Sequence, residues 1–154
     1  MITAITASLA RRADRPAACG LAAPRVAPQP SGARDTISRM THYDWNNLPL
    51  EQLNPQVSRR ALHTSGLTIA RLNMQKGAVV PEHSHVHEQI ATVERGELQF
   101  WFGDREVILR DGQSVAIPSN EPHKVIALQD TVVVDVFTPC REDWLRGDDA
   151  YLRK

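Results

Sequence analysis

The chain has 154 residues, with 18 Lys plus Arg against 18 Asp plus Glu and no formal net charge. That balance offers no overall basic field to nucleic acid or to an anionic membrane. No apolar run approaches the roughly eighteen residues of a bilayer-spanning helix, so neither partner is expected. The length fits one ordinary domain able to bury its own core. Cys19 and Cys140 form no disulfide framework, in keeping with a reducing, cytoplasmic compartment.

Residues 1–39 carry six arginines against Asp14 and Asp35, and Pro16, Pro24, Pro28 and Pro30 interrupt any period. Such a stretch buries too little apolar surface to offset its ordering entropy. The expectation is a disordered or misread extension over residues 1–40 and a single domain over 41–154. An over-extended reading frame starting truly at Met40, an arginine-rich transit peptide and a flexible tail all account for it. Ordinary globular sequence, THYDWNNLPLEQLNP, follows Met40 at once and favours the first. A secretory signal is disfavoured, because the weakly apolar ITAITASLA precedes its arginines.

From Val57 onward, short apolar or alternating segments are separated by turn residues. Strands are predicted over Val57–His63, Leu67–Met74, Gln89–Glu94, Glu97–Phe102, Glu106–Leu109, Ser114–Ile117, His123–Ala127 and Thr131–Phe137. Breaks fall at Ser65-Gly66, Lys76-Gly77, Arg95-Gly96, Gly103-Asp104, Asp111-Gly112 and the Pro118 to Pro122 loop. This pattern implies an all-β sandwich or small barrel. Phe100, Trp101 and Phe102 are expected in the core and at a homodimer surface, and Arg59 or Arg60 in solvent or between subunits. The final stretch, REDWLRGDDAYLRK, fits a short helical turn with Trp144 and Leu145 packing back. No helix-turn-helix segment is apparent in the body, which disfavours a DNA-binding regulator.

The stretch Gly77 to Gly96, GAVVPEHSHVHEQIATVERG, gathers His83, His85, His87, Glu88 and Gln89 between two glycines. Imidazole is the commonest protein ligand for a divalent transition metal, and side chains at i and i+2 on a strand share a face. His83, His85 and Gln89 have that parity. His87 is expected in a turn facing solvent, and Glu88 replaces Gln89 as a candidate if the register shifts by one.

The spacing Gly77-x5-His83-x-His85-x3-Gln89-x6-Gly96 resembles the first motif of the cupin superfamily, with Gln89 where glutamate is usual. Gly112-x5-Pro118-x-Asn120-x2-His123 resembles the second, with Asn120 in place of the usual glycine and Ala127 in place of an asparagine. The resemblance implies a double-stranded β-helix, or jelly-roll barrel, holding one divalent transition metal on His83, His85, Gln89 and His123. Nickel, zinc, manganese and iron all suit such ligands. Gln89 leaves the set without a carboxylate, unlike the two-His-one-carboxylate sites of many oxygen-activating irons.

The strand TVVVDVF is apolar apart from Asp135, and an unpaired carboxylate is costly to bury, so Asp135 is a candidate general acid or base. Phe137 shares its parity as an apolar wall, and Arg141 suits a bidentate grip on a substrate carboxylate. Cys140, beside Arg141, lacks an evident partner base and reads as an incidental small residue. DVFTPCREDWL resembles the KdgF-like cupins of pectin and alginate breakdown, which ring-open or tautomerise unsaturated uronate monosaccharides. That likeness implies a proton shuttled by Asp135, a carboxylate held by Arg141 and a sugar oxygen polarised by the metal. Ala91 departs from it, standing where such proteins have a second pocket glutamine. The expected function is therefore isomerase or tautomerase chemistry on a small sugar acid. A metal-dependent cupin dioxygenase and a non-catalytic cupin that binds or senses a small molecule are the alternatives.

Overall fold

The computed structural model describes residues 40–153, so the expectation for the N-terminal extension lies, Met40 apart, outside the described residues. Ten strands follow in order: β1 (Glu51–Asn54), β2 (Val57–His63), β3 (Thr68–Met74), β4 (Val79–His83), β5 (Glu88–Arg95), β6 (Glu97–Phe102), β7 (Arg105–Arg110), β8 (Ser114–Ile117), β9 (His123–Ala127) and β10 (Thr131–Thr138). A one-turn helix, α1 (Glu142–Arg146), and a 3-10 turn over Ala150–Leu152 close the chain's described part. No helix among the described residues is long and apolar enough to cross a membrane.

The strands form two antiparallel sheets, one of six in the order β1-β2-β3-β10-β5-β8 and one of four in the order β4-β9-β6-β7. Their inner faces are built by period-two alternation. Thr68, Ala70, Leu72 and Met74 of β3 are buried while Arg71 and Asn73 are exposed, and Leu98 and Phe100 of β6 face them across the core. Val93, Ile117, Val125, Val133 and Phe137 complete one continuous apolar interior between the sheets. This is the all-β architecture expected from the strand pattern, and the jelly roll that the cupin resemblance implies.

The sequence reading lacks two of the strands. β1 is four residues long and sits at an edge. β4 contains Pro81, a residue that discourages a strand assignment, but β4 is also an edge strand, where a missing N–H is tolerated. Gly96 makes the tight passage from β5 to β6 at φ 101°, and a Cβ there would lie 2.5 Å from the Asp130 carbonyl oxygen. In α1, Trp144 packs inward as expected, whereas Leu145 is exposed because the single turn presents only one side to the barrel.

Candidate metal centre

One end of the barrel brings three imidazoles together. β4 ends at His83 and β9 begins at His123, and the two residues are paired in register on the four-stranded sheet. His85 lies beyond β4 in the connection to β5, so it does not continue the strand parity of His83; the bend over residues 84–87 returns its ring to the same cavity. Gln89 enters from the other sheet, on β5 opposite Phe137 of β10. In β5, Gln89 is buried and Glu88 exposed, so alternation points the amide inward and the carboxylate away.

The three imidazoles are close enough together that they could hold a metal ion. The ring of His83 lies 4.3 Å from that of His123 and 5.7 Å from that of His85, and one ligand nitrogen from each of the three falls within 4.8 Å of the others. Each Nδ1 meets a backbone carbonyl: His83 that of Pro81 at 2.8 Å, His85 that of His87 at 2.9 Å, and His123 that of Glu121 at 2.8 Å. A carbonyl only accepts, so each neutral ring carries its proton on Nδ1 and keeps the Nε2 lone pair for the cavity. Burial first, and then the neighbouring His123, pushes the pKa of His83 down to about 4. Burial and the charge of Arg141 bring His85 to about 4 as well, and burial lowers His123. Near neutral pH the rings are uncharged and able to coordinate. The Nε2 of His85 also lies 3.1 Å from Oε1 of Gln89, two acceptors facing one another. A cation between them would relieve that repulsion, so the residues present fit a divalent metal.

A buried carboxylate and a buried guanidinium share the cavity. Asp135 on β10 is pushed up to about 7 by burial, against the opposing influence of the Gln89 amide and Arg141, and its Oδ1 has no hydrogen-bond partner. Arg141 is fully buried just before α1. Its Nε and Nη2 donate to the Asp143 carboxylate at 2.9 and 2.7 Å, and Nη2 also donates to the Tyr151 hydroxyl at 2.9 Å. The guanidinium packs over Phe137 and Trp144, 4.8 and 4.3 Å from the ring centroids, and Nη1 remains without a partner.

Comparison with known proteins follows the same lines. A family model described as Cupin domain matches residues 70–137. The pectin degradation protein KdgF of Dickeya dadantii is 32% identical over 100 residues, which span 63% of this chain and 91% of that protein. The chain is a KdgF-like member of the cupin family. The structure of KdgF from Halomonas sp. superposes with a TM-score of 0.64 at 26% identity, covering 68% of this chain and 99% of that one. An RmlC-like cupin from Shewanella frigidimarina superposes with a TM-score of 0.63 at 24% identity, covering 68% of this chain and 96% of that one, a likeness of fold.

In this cupin, Asn120 stands where the second motif usually has glycine, and it adopts φ 63°, a left-handed conformation that asparagine tolerates better than most residues. Its backbone N–H donates to the His85 carbonyl at 2.7 Å, tying the His85 bend to the loop that leads into His123. Asp135, Phe137 and Arg141 are brought together with His83, His85, Gln89 and His123 around one cavity. His87 is not: it is buried, with Nε2 3.2 Å from the Cys140 carbonyl, and neither faces solvent nor lines that cavity. Arg59 also departs from expectation. It is buried against Trp144 and paired with Glu51 and Asp149, both at 2.8 Å, because residues far along the chain supply its countercharge. Cys140 is buried, its sulfur 3.7 Å from the Thr68 hydroxyl, which supplies no base.

Sequence reasoning missed Tyr151 and Asp143. Tyr151 stacks on His83 with centroids 4.4 Å apart, and Asp143 clamps Arg141. The acidic residue two positions after Arg141 was a legible signal for the clamp. Nothing in the spacing of Tyr151 tied it to His83.

Proposed function

We propose that this cupin holds one divalent transition metal on His83, His85, Gln89 and His123 and isomerises a small sugar acid, of the unsaturated-uronate kind, by proton transfer. The observation that carries the reading is the shared cavity: an unpaired buried carboxylate oxygen on Asp135, a buried Arg141 with a free Nη1, and three imidazoles with inward lone pairs. The relative from Dickeya dadantii is named for pectin degradation, and pectin is a polymer of uronic acid, which supports the substrate class.

Arg141 takes the substrate carboxylate through Nη1 while Asp143 holds its other edge, so the grip is oriented before the ligand arrives. Phe137 forms the apolar floor beneath the guanidinium and excludes water from it. Asp135 removes a proton from an enolic oxygen at Oδ1 and supplies a proton to carbon. Nothing is oxidised or reduced, and no co-reactant is consumed. A bound metal would supply Lewis acidity at a sugar oxygen, strengthened by the lack of a carboxylate among its ligands. That neutral set also weighs against the dioxygenase alternative.

A homodimer belongs to this reading, with Val79, Ile90 and Ile108 exposed on the outer faces of the sheets, and so does a cytoplasmic location. The test is elemental analysis of the purified protein together with ultraviolet-monitored consumption of unsaturated galacturonate. About one divalent ion per chain and a loss of absorbance that stops on chelation are expected. Unchanged absorbance with the metal-loaded protein would remove the uronate reading.

A further inference from the structure

The cavity that joins these groups has a volume of about 40 Å³. A single water needs about 10–15 Å³ by that kind of measure, whereas pockets for organic ligands run to about 300–1,000 Å³. The space therefore accepts an ion and a few waters but not a sugar acid. Tyr151, a half-buried side chain, takes up part of its lining beside His83 and Arg141. Its ring lies nearly parallel to His83, 26° between planes, and its hydroxyl oxygen accepts a hydrogen bond from Nη2 of Arg141. A flat six-membered ring against the imidazole and an oxygen against the guanidinium are the two contacts that a cyclic acid would make there.

We infer that Tyr151 is a displaceable plug: it occupies the ligand's place in the empty cupin and swings out when a small ring-shaped acid binds. The inference rests on the reading that this cavity receives an organic acid. Its position favours movement of the side chain alone. On either side, the backbone is fastened, since Asp149 is held by Arg59 at 2.8 Å and the Leu152 carbonyl accepts from Asn54 at 2.9 Å. The ring itself is held by one hydrogen bond, one stacked face and packing against the edge of the apolar core. Displacing it exposes His83 and frees Arg141 Nη2 for a second bond to the incoming carboxylate, while Asp143 still holds the guanidinium in place.

The chain contains only two tyrosines, Tyr43 and Tyr151, so protein grown with 3-fluorotyrosine gives a two-line fluorine spectrum, assigned with Tyr43→Phe. Metal-loaded protein is titrated with D-galacturonate, a stable acid of the proposed class, and relaxation dispersion is recorded without it. The plug predicts exchange broadening at Tyr151 and not at Tyr43. It also predicts that galacturonate moves the Tyr151 line at least half-way to its position in urea. Tyr151→Ala should then bind galacturonate several-fold more tightly by calorimetry, because nothing has to be displaced. A flat dispersion profile with an unmoved Tyr151 line overturns the plug, whether or not galacturonate binds, and so does weaker binding by Tyr151→Ala. Exchange at Tyr151 without galacturonate binding keeps the plug and removes the uronate class.

Discussion

Nε2 of His85 and Oε1 of Gln89 lie 3.1 Å apart with no proton between them, because the His85 proton is committed to the His87 carbonyl. Turning the Gln89 amide would not help, since its other end lies on the side of the Asp135 carboxylate. Two lone pairs held this way need a positive charge. Gln89→Leu should therefore weaken zinc binding by about 10-fold or more, the scale on which even outer-shell partners act, and His123→Ala by more. Competition with a chromophoric chelator measures both. Wild-type affinity in either variant would remove that side chain from the ligand set.

Asp135 lies opposite Ala91 in the β10–β5 register, inside the barrel and away from the imidazole cluster's own hydrogen bonds. Asp135→Asn keeps its shape and removes its basicity. Metal content and the β-sheet circular dichroism should be unchanged, and the rate on unsaturated galacturonate should fall by about 100-fold or more, the usual range for a lost acid–base group. An undiminished rate would leave Asp135 a structural residue.

Most of the barrel was legible because a half-buried strand repeats every two residues and its turns need particular residue types. Val57–His63, Glu97–Phe102, Ser114–Ile117 and His123–Ala127 are strands to the residue. The candidate metal residues were legible as a spacing, but the route to them was not. His85 reaches the cavity from a bend, since a strand carrying on past His83 would run off the edge of the sheet, and no local pattern records where a chain turns back. Arg59 and Asp149 are 90 residues apart, and Tyr151 meets His83 only after the barrel has closed. Pairings of that kind arise from tertiary packing and leave no periodic trace.

Gly96 ends the first motif for a reason visible in the backbone. At φ 101°, with Asp130 O and Thr131 Oγ1 both 2.5 Å from any added Cβ, Gly96→Ala combines a strained conformation with a collision against backbone. A loss of about 3 kcal/mol or more is expected from urea denaturation. Gly103, at φ 57° with open space around it, is the control: Gly103→Ala should cost only about 1 kcal/mol. Equal losses at the two positions would mean that the crowding at Gly96 relaxes freely.

Acid stability should report the Arg59–Asp149 pair. Burial alone would raise the pKa of Asp149, but hydrogen bonds from Arg153 and Arg59 more than reverse this and hold its carboxyl below the usual range. The folded protein thus binds this proton more weakly than the unfolded chain does. Its stabilisation is complete above the unfolded-chain value of about 4 and is lost as pH falls through the lower folded value. Asp149→Asn removes that dependence and leaves Glu51 as the countercharge of buried Arg59, so the variant should already be less stable at pH 6, by about 1–3 kcal/mol. Between pH 6 and pH 3 the urea midpoint of the wild type should then fall more steeply than that of Asp149→Asn. Parallel slopes would show that the pair's protonation is not what acid breaks.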